Sequence, residues 1–196
     1  MSTRGAPGRQ RGLTMIELIV FIVVISIALV ALLHVLGLTS RHSADPLRRK
    51  QALMLAEAML EEVQLARFTY CDPTSDNADT AESSADCTIP EAFGRNAPKP
   101  AGSRPYDNIN DYVAAAGTPT LAFNNAAGRL ADVNGTPLEL AGYTVRLTIT
   151  PEALGGIASG GNSADAEVLR IRVTVEFDGD SLALDGYRTR HAPNML

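Results

Sequence analysis

The chain has no basic patch, no CxxC pair, no metal-spaced histidines and no internal repeat. Each absence removes a class of function. Nucleic-acid binding needs clustered Lys and Arg to meet phosphates, and here 17 cationic residues face 22 acidic ones, for a net charge of −5. Removing Arg4, Arg9 and Arg11, which no acid accompanies, leaves −8 for the rest. The three histidines, His34, His42 and His191, have no Ser or Cys partner in a catalytic motif, so the sequence reads as non-enzymatic, with no cofactor and no metal. Asp107, Asn108, Asn110 and Asp111 form an oxygen-rich group that a Ca²⁺ ion could use, but turns are built from the same residues and the turn is preferred. Asp72, Asp76, Asp79, Glu82 and Asp86 read as a solvated loop face. Asn134-Gly135-Thr136 formally matches a glycosylation acceptor, but Asn-Gly is also a hairpin turn.

Apolar residues are present in quantity, 45% of 196, but unevenly placed. From Leu18 to Leu38 only Ser26, His34 and Gly37 interrupt the run. At about 1.5 Å per residue such a helix spans roughly 30 Å, a bilayer core. The preceding arginines keep that end inside and translocate the C-terminal body. Cys71 and Cys87 then lie in an oxidising compartment, where one disulfide closing their polar loop is expected, with two free thiols as the alternative. A loop of that size closed by a disulfide gains roughly 3 kcal/mol.

Four explanations compete for the N-terminal run. A cleaved secretory signal has a shorter apolar centre that does not begin with a carboxylate. A signal-anchor leaves Glu17 unexplained, and a buried core helix would show a polar face. The fourth is a prepilin. Glu17 discriminates, since an ionised side chain at the centre of a membrane helix costs about 2.5–3.5 kcal/mol. A capping box of Thr14 and Glu17 is the simpler account, but it needs none of the surrounding pattern.

That pattern, RGLTMIELIVFIVV over residues 11–24, resembles the type IV prepilin signature: a basic leader ending in Gly, an apolar first mature residue and Glu at the fifth. The resemblance implies a leader of residues 1–12, cleavage by prepilin peptidase between Gly12 and Leu13, N-methylation of Leu13, and pairing of Glu17 with the new amine of a neighbouring subunit. Leu13 and Met15 depart from the commonest residues but remain apolar. Opposite charges 4 Å apart attract by about 4 kcal/mol at an effective dielectric of 20, enough to offset burial of the carboxylate.

Beyond the anchor (13–38), Asp45-Pro46 reads as a helix restart, with Asp45 as N-cap. An amphipathic helix follows to about Phe68 (39–68 with its lead-in). Ala52, Leu55, Ala56, Met59, Val63 and Ala66 form its apolar stripe, Lys50, Glu57, Glu61 and Gln64 lie opposite, and Met54 is expected to pack alongside Met59. Residues 69–196 form the head: a long loop region to about 120, then strands. Tyr143, Val145, Leu147 and Ile149 alternate with polar residues, as do Leu169, Ile171, Val173, Val175 and Phe177. Asp178-Gly179-Asp180 turns the chain into a third strand, in which a parity shift at Gly186 suggests a bulge. The expected class is α+β, a pilin-like long helix packed on a small antiparallel sheet.

The segments DPLRRKQALMLAEAMLEEVQLARF, YDNINDY, NGTPLELAGYTVRLTI and LRIRVTVEFDG, with LALDGYRTR, are similar to MshD-type minor pilins of mannose-sensitive haemagglutinin (MSHA) pili. This implies a minor subunit held in the bacterial inner membrane by a single pass, with its head in the periplasm, later incorporated into a pilus at the cell surface. Its partners would be prepilin peptidase, other pilin subunits, the assembly machinery and the inner membrane, with no nucleic acid. The alternatives are a type II secretion pseudopilin and a signal-anchored extracytoplasmic binding domain.

Overall fold

Thr14 begins a helix. Its carbonyl accepts from the amides of Glu17 and Leu18, both at 3.1 Å, and its hydroxyl accepts from Glu17 N at 3.4 Å. The helix, α1, is assigned from Met15 to Leu65. The computed structural model describes residues 14–94, 104–161 and 165–190, and within α1 all side chains but those of 36–45. The polypeptide divides into two units between Leu47 and Arg48. The expected restart at Asp45 is not a break, because helical backbone continues through Pro46. Proline removes one donor and clashes one turn back, a local cost that a long helix tolerates.

In the first unit, the helix from Met15 to Val35 exposes every large apolar side chain, from Met15 at 81% to Ile25 at 43%. Ser26 donates to the carbonyl of Ile22 at 2.7 Å, so its hydroxyl is satisfied within the helix.

The second unit holds the core. Strands β1 (Tyr143–Pro151), β2 (Val168–Phe177) and β3 (Asp180–Thr189) form an antiparallel sheet in sequence order. Alternation decides their faces. Val145, Leu147 and Ile149 of β1 and Leu169, Ile171, Val173, Val175 and Phe177 of β2 are buried. They pack with Ala52, Leu55, Ala56, Met59, Leu60 and Val63 of the helix. The fold is therefore α+β, with a long N-terminal helix and a three-stranded antiparallel sheet. On the outer face Arg172 and Asp185, opposite each other in register, form a bidentate pair at 2.7 Å. A two-residue turn joins β2 to β3, with Asp178 at φ 49° and Gly179 at φ 86°, the backbone sign that tight hairpins require.

Gly186 does not sit at a bulge. The β2–β3 register runs unbroken, pairing Ile171 with Gly186. Gly186 faces inward, and a Cβ there would meet Leu60 and Gln64 of the helix at 3.0 and 2.6 Å. Tyr187 therefore points out, 40% exposed. The parity shift reflects a small residue where the helix comes close. Asn134-Gly135 does turn the chain: Gly135 N donates to Asp132 O at 3.0 Å and Asp132 N to Thr136 O at 2.8 Å.

The stretch from 69 to 120 has no long element among its described residues, only short helical turns at Ser84–Asp86 and Ile109–Tyr112. It nonetheless supplies core: Tyr106, Ile109, Tyr112 and Val113 are buried in the main cluster, with Phe68 before and Phe123 after.

Candidate functional site

The residues that bear on function fall at the start of α1. Glu17 stands in the first turn, where the unpaired amides of a helix N-terminus favour a carboxylate. Thr14 caps that turn as the sequence suggested. Around Glu17, Met15, Ile16, Leu18, Ile19, Val20 and Phe21 are exposed apolar residues. A carboxylate in such a surface needs a cation when the surface is covered by lipid or protein. Gly12 and Leu13 lie outside the described residues, as do the leader arginines. His34 is exposed on the same helix; His191 and the His42 side chain are not described.

Met15–Val35 is 21 residues, long and apolar enough to cross a membrane. Glu17 is the only charged residue in that span.

In the head, Cys71 and Cys87 are joined, with Cα atoms 5.4 Å apart. Around the bond, Asn77 organises the loop: its side-chain oxygen accepts from Thr88 N at 3.1 Å and from Ser75 Oγ at 3.0 Å, and its Nδ2 donates to Asp86 O. The acidic series is not uniformly solvated. Asp72 is 5% exposed because its carboxylate accepts from Thr74 N at 2.8 Å, whereas Asp76, Asp79, Glu82 and Asp86 are exposed, Asp86 also accepting from Ser83 N at 2.9 Å. Asp165, from a distant segment, receives Ser84 N and Ser84 Oγ at 2.8 and 2.7 Å; these bonds hold its pKa below the ordinary value.

Asn108 and Asp111 are spent on a turn. Asn108 Oδ1 accepts from Asn110 N at 3.2 Å and Asp111 Oδ2 from Asn108 N at 3.3 Å, a reciprocal cap on the Ile109–Tyr112 helical turn. Beside it, Glu91 is 1% exposed. Burial, reinforced by Asp111 and opposed by the Ala92 amide, lifts its pKa from 4.5 to about 8.

Sequence reading missed two arginines, Arg104, which is buried, and Arg190, which is half-buried. Arg104 bonds both oxygens of Glu62 at 2.9 and 3.2 Å, donates to the carbonyls of Ala131 and Asp132, and stacks 5.2 Å from the Phe123 ring. Tyr112 donates to the same Glu62 at 3.1 Å. Arg190 lies 4.0 Å from the Phe68 ring centre and 4.2 Å from that of Tyr70, and donates to Ala166 O and Phe68 O. Both are clamps that tie loops to the core. No local pattern announces partners 42 and 122 residues away.

Met54 is also misplaced by the sequence reading: it is 59% exposed while Met59 is buried. Met54 borders one of two adjoining depressions along the helix, of about 430 and 670 Å³, which share Ala58 and Glu62.

Residues 7–33 match the family model of the prokaryotic N-terminal methylation motif. No curated protein and no solved structure matches the chain. With Glu17 in the first turn of an exposed, membrane-length apolar helix, this match supports a type IV pilin or pseudopilin precursor, processed by prepilin peptidase.

Proposed function

We propose that the chain is a minor pilin: a structural, non-enzymatic subunit cut between Gly12 and Leu13, methylated on the Leu13 amine, and built into or assisting assembly of an MSHA-like type IV pilus. The observation that carries the reading is the methylation motif over residues 7–33 together with Glu17, the one carboxylate in the apolar span. Cleavage places an ammonium four residues before Glu17. Between neighbouring subunits that pair offsets the cost of burying either charge, and removing one partner strands the other. The minor and MSHA-like assignment is supported by the sequence segments quoted above. A head on the far side of the inner membrane accords with the arginines before the span and with the Cys71–Cys87 bond.

The test is Glu17→Val in cells with an intact pilus system. The variant should insert and be cleaved normally, yet fall at least about tenfold in sheared filaments, since 1.4 kcal/mol or more of lost pairing is tenfold in an equilibrium. Normal recovery of the variant in filaments would overturn the pairing role.

A further inference from the structure

The two edges of the head sheet are finished differently. A two-residue turn closes on a hydrogen-bonded pair, here Phe177 and Asp180, so the even-numbered residues of β3 spend their backbone groups on β2. Parity carries across the sheet, and on β1 the odd-numbered residues point their amides and carbonyls outward. Those outward groups are taken. Leu147 exchanges both bonds with Thr120, at 2.8 and 2.9 Å, and Ile149 O accepts from Gly117 N at 2.8 Å. On β3 the outward groups belong to Ser181, Ala183, Asp185, Tyr187 and Thr189, and among the described residues no backbone group meets them.

The open edge is also poorly guarded. Over ten residues β3 carries no lysine, no proline and no bulge, the devices that blunt an exposed edge. Beside it the apolar layer is unfinished. Leu182 and Leu184 are half-buried on the inner face, and Leu53, seven residues before Leu60 on the same side of the helix, is exposed. The inner face of β3 ends in charge. Asp180 is exposed at its start, and Arg188 keeps a buried Nε with no hydrogen-bond partner. Neither joins an ion pair among the described residues.

We infer that β3 accepts an extended strand from a different protein, added antiparallel to the open edge as a fourth strand of the sheet. Main-chain bonds to the outward groups supply the attachment, and an antiparallel ladder is the stronger per residue. In the new ladder the even-numbered residues form the non-hydrogen-bonded pairs, where side chains stand closest. The incoming strand therefore needs apolar residues opposite Leu182 and Leu184, a base opposite Asp180 and an acid opposite Arg188. The two charges, eight residues or about 26 Å apart, fix its register. A second copy fits the edge poorly. Its β1 edge is closed by Thr120 and Gly117, so heads do not join β3 to β1 in series. Pairing β3 with β3 would set two heads antiparallel. In the head α1 runs along β3, from Arg48 beside Asp178 to Gln64 beside Gly186, so the two chains would enter their heads from opposite ends. Subunits anchored in one membrane do not meet that way. The inference rests on the anchored, filament reading above and adds a site for one partner.

The experiment uses the full chain in cells with an intact pilus system, in two differently tagged copies, with photoreactive benzoylphenylalanine in place of Tyr187, which is exposed on the outer face of the edge. Irradiation should give an adduct with one partner protein and without the second tag. Ala183→Pro removes an outward amide that the head itself does not use. It should leave the near-ultraviolet circular dichroism of the head unchanged and lower the adduct about tenfold or more. Arg188→Glu keeps every backbone group and should lower the adduct about two- to fivefold, the factor an exposed ion pair is worth; it decides the matter alone if Ala183→Pro fails to fold. An adduct carrying both tags would overturn the foreign partner in favour of a second copy. No adduct, or a yield that neither substitution lowers, would overturn strand addition. The N-terminal mass of the same sample separates the two levels: retention of residues 1–12 refutes the filament reading itself, whereas a mature terminus without the adduct refutes only the strand site.

Discussion

Between Met15 and Val35 the helix leaves Ile19, Phe21, Val24, Leu29 and Leu33 in the open, whereas between Ala52 and Ala66 it hides Leu55, Ala56, Met59, Leu60 and Val63 against a sheet. The first stretch is the more apolar of the two, but content alone does not say which side meets what. Arrangement does. In the head, apolar residues recur at three and four with Glu57 and Glu61 between, so one side is built for protein and the other for water. In the anchor no side is built for water, and the helix matches a solvent or partner that is apolar all round. The lesson is that the same backbone carries two interfaces, and only one of them is completed within a single chain.

Substitutions in the two stretches should therefore separate cleanly when the full chain is unfolded in mild detergent and the head is followed by near-ultraviolet circular dichroism. The largest effect is expected at the Arg104–Glu62 pair: Glu62→Ala removes the carboxylate that Arg104 Nη1 and the Tyr112 hydroxyl share, leaving the buried guanidinium without its counter-charge, and should cost about 3–5 kcal/mol. Met59→Ala, which opens a cavity under the sheet, should cost about 2–5 kcal/mol, while Leu29→Ala in the anchor should leave head stability unchanged within about 0.5 kcal/mol. If Leu29→Ala destabilises the head as Met59→Ala does, the contrast between the stretches fails. Replacing Cys71 and Cys87 by Ser frees a loop closed over a sequence separation of 16 and should cost about 3 kcal/mol.

A pH-dependent effect sharpens the picture of the loop side of the core. Glu91 has its folded pKa raised from 4.5 to about 8. The folded state therefore holds a proton that the unfolded chain releases above pH 4.5, and stability contributed by the protonated form is lost as pH rises from about 4.5 to about 8. Glu91→Gln should flatten that decline and raise stability at pH 8 relative to wild type. Denaturant midpoints at pH 5 and pH 8 measure it; an unchanged pH slope would show that Glu91 does not titrate as its burial implies.

Much of this architecture was legible because it is periodic. The β1 and β2 faces follow from alternation, the stripe from Ala52 to Ala66 follows from helical spacing, and the Asp178-Gly179 turn follows from the backbone signs such a hairpin needs. What escaped reading is aperiodic. Tyr106, Ile109 and Tyr112 enter the core singly from irregular backbone. Arg104 is buried because Glu62 and two carbonyls receive it, a fact that belongs to tertiary contact and not to any window of sequence. Gly186 shows the reverse error. Its local pattern looked like a bulge, but its cause is the approach of Leu60 and Gln64 from the helix packed on the sheet. At the N-terminus, Thr14 and Glu17 were readable as a cap and also as part of a longer motif. Only the motif explains why the acid stands in so apolar a stretch.

The most direct test is the mass of the N-terminal peptide of the purified full-length product, with and without prepilin peptidase. The account predicts a peptide beginning at N-methylated Leu13 when the peptidase is present and at the leader when it is absent. A peptide that retains Arg9 and Arg11 in the presence of active peptidase would contradict it.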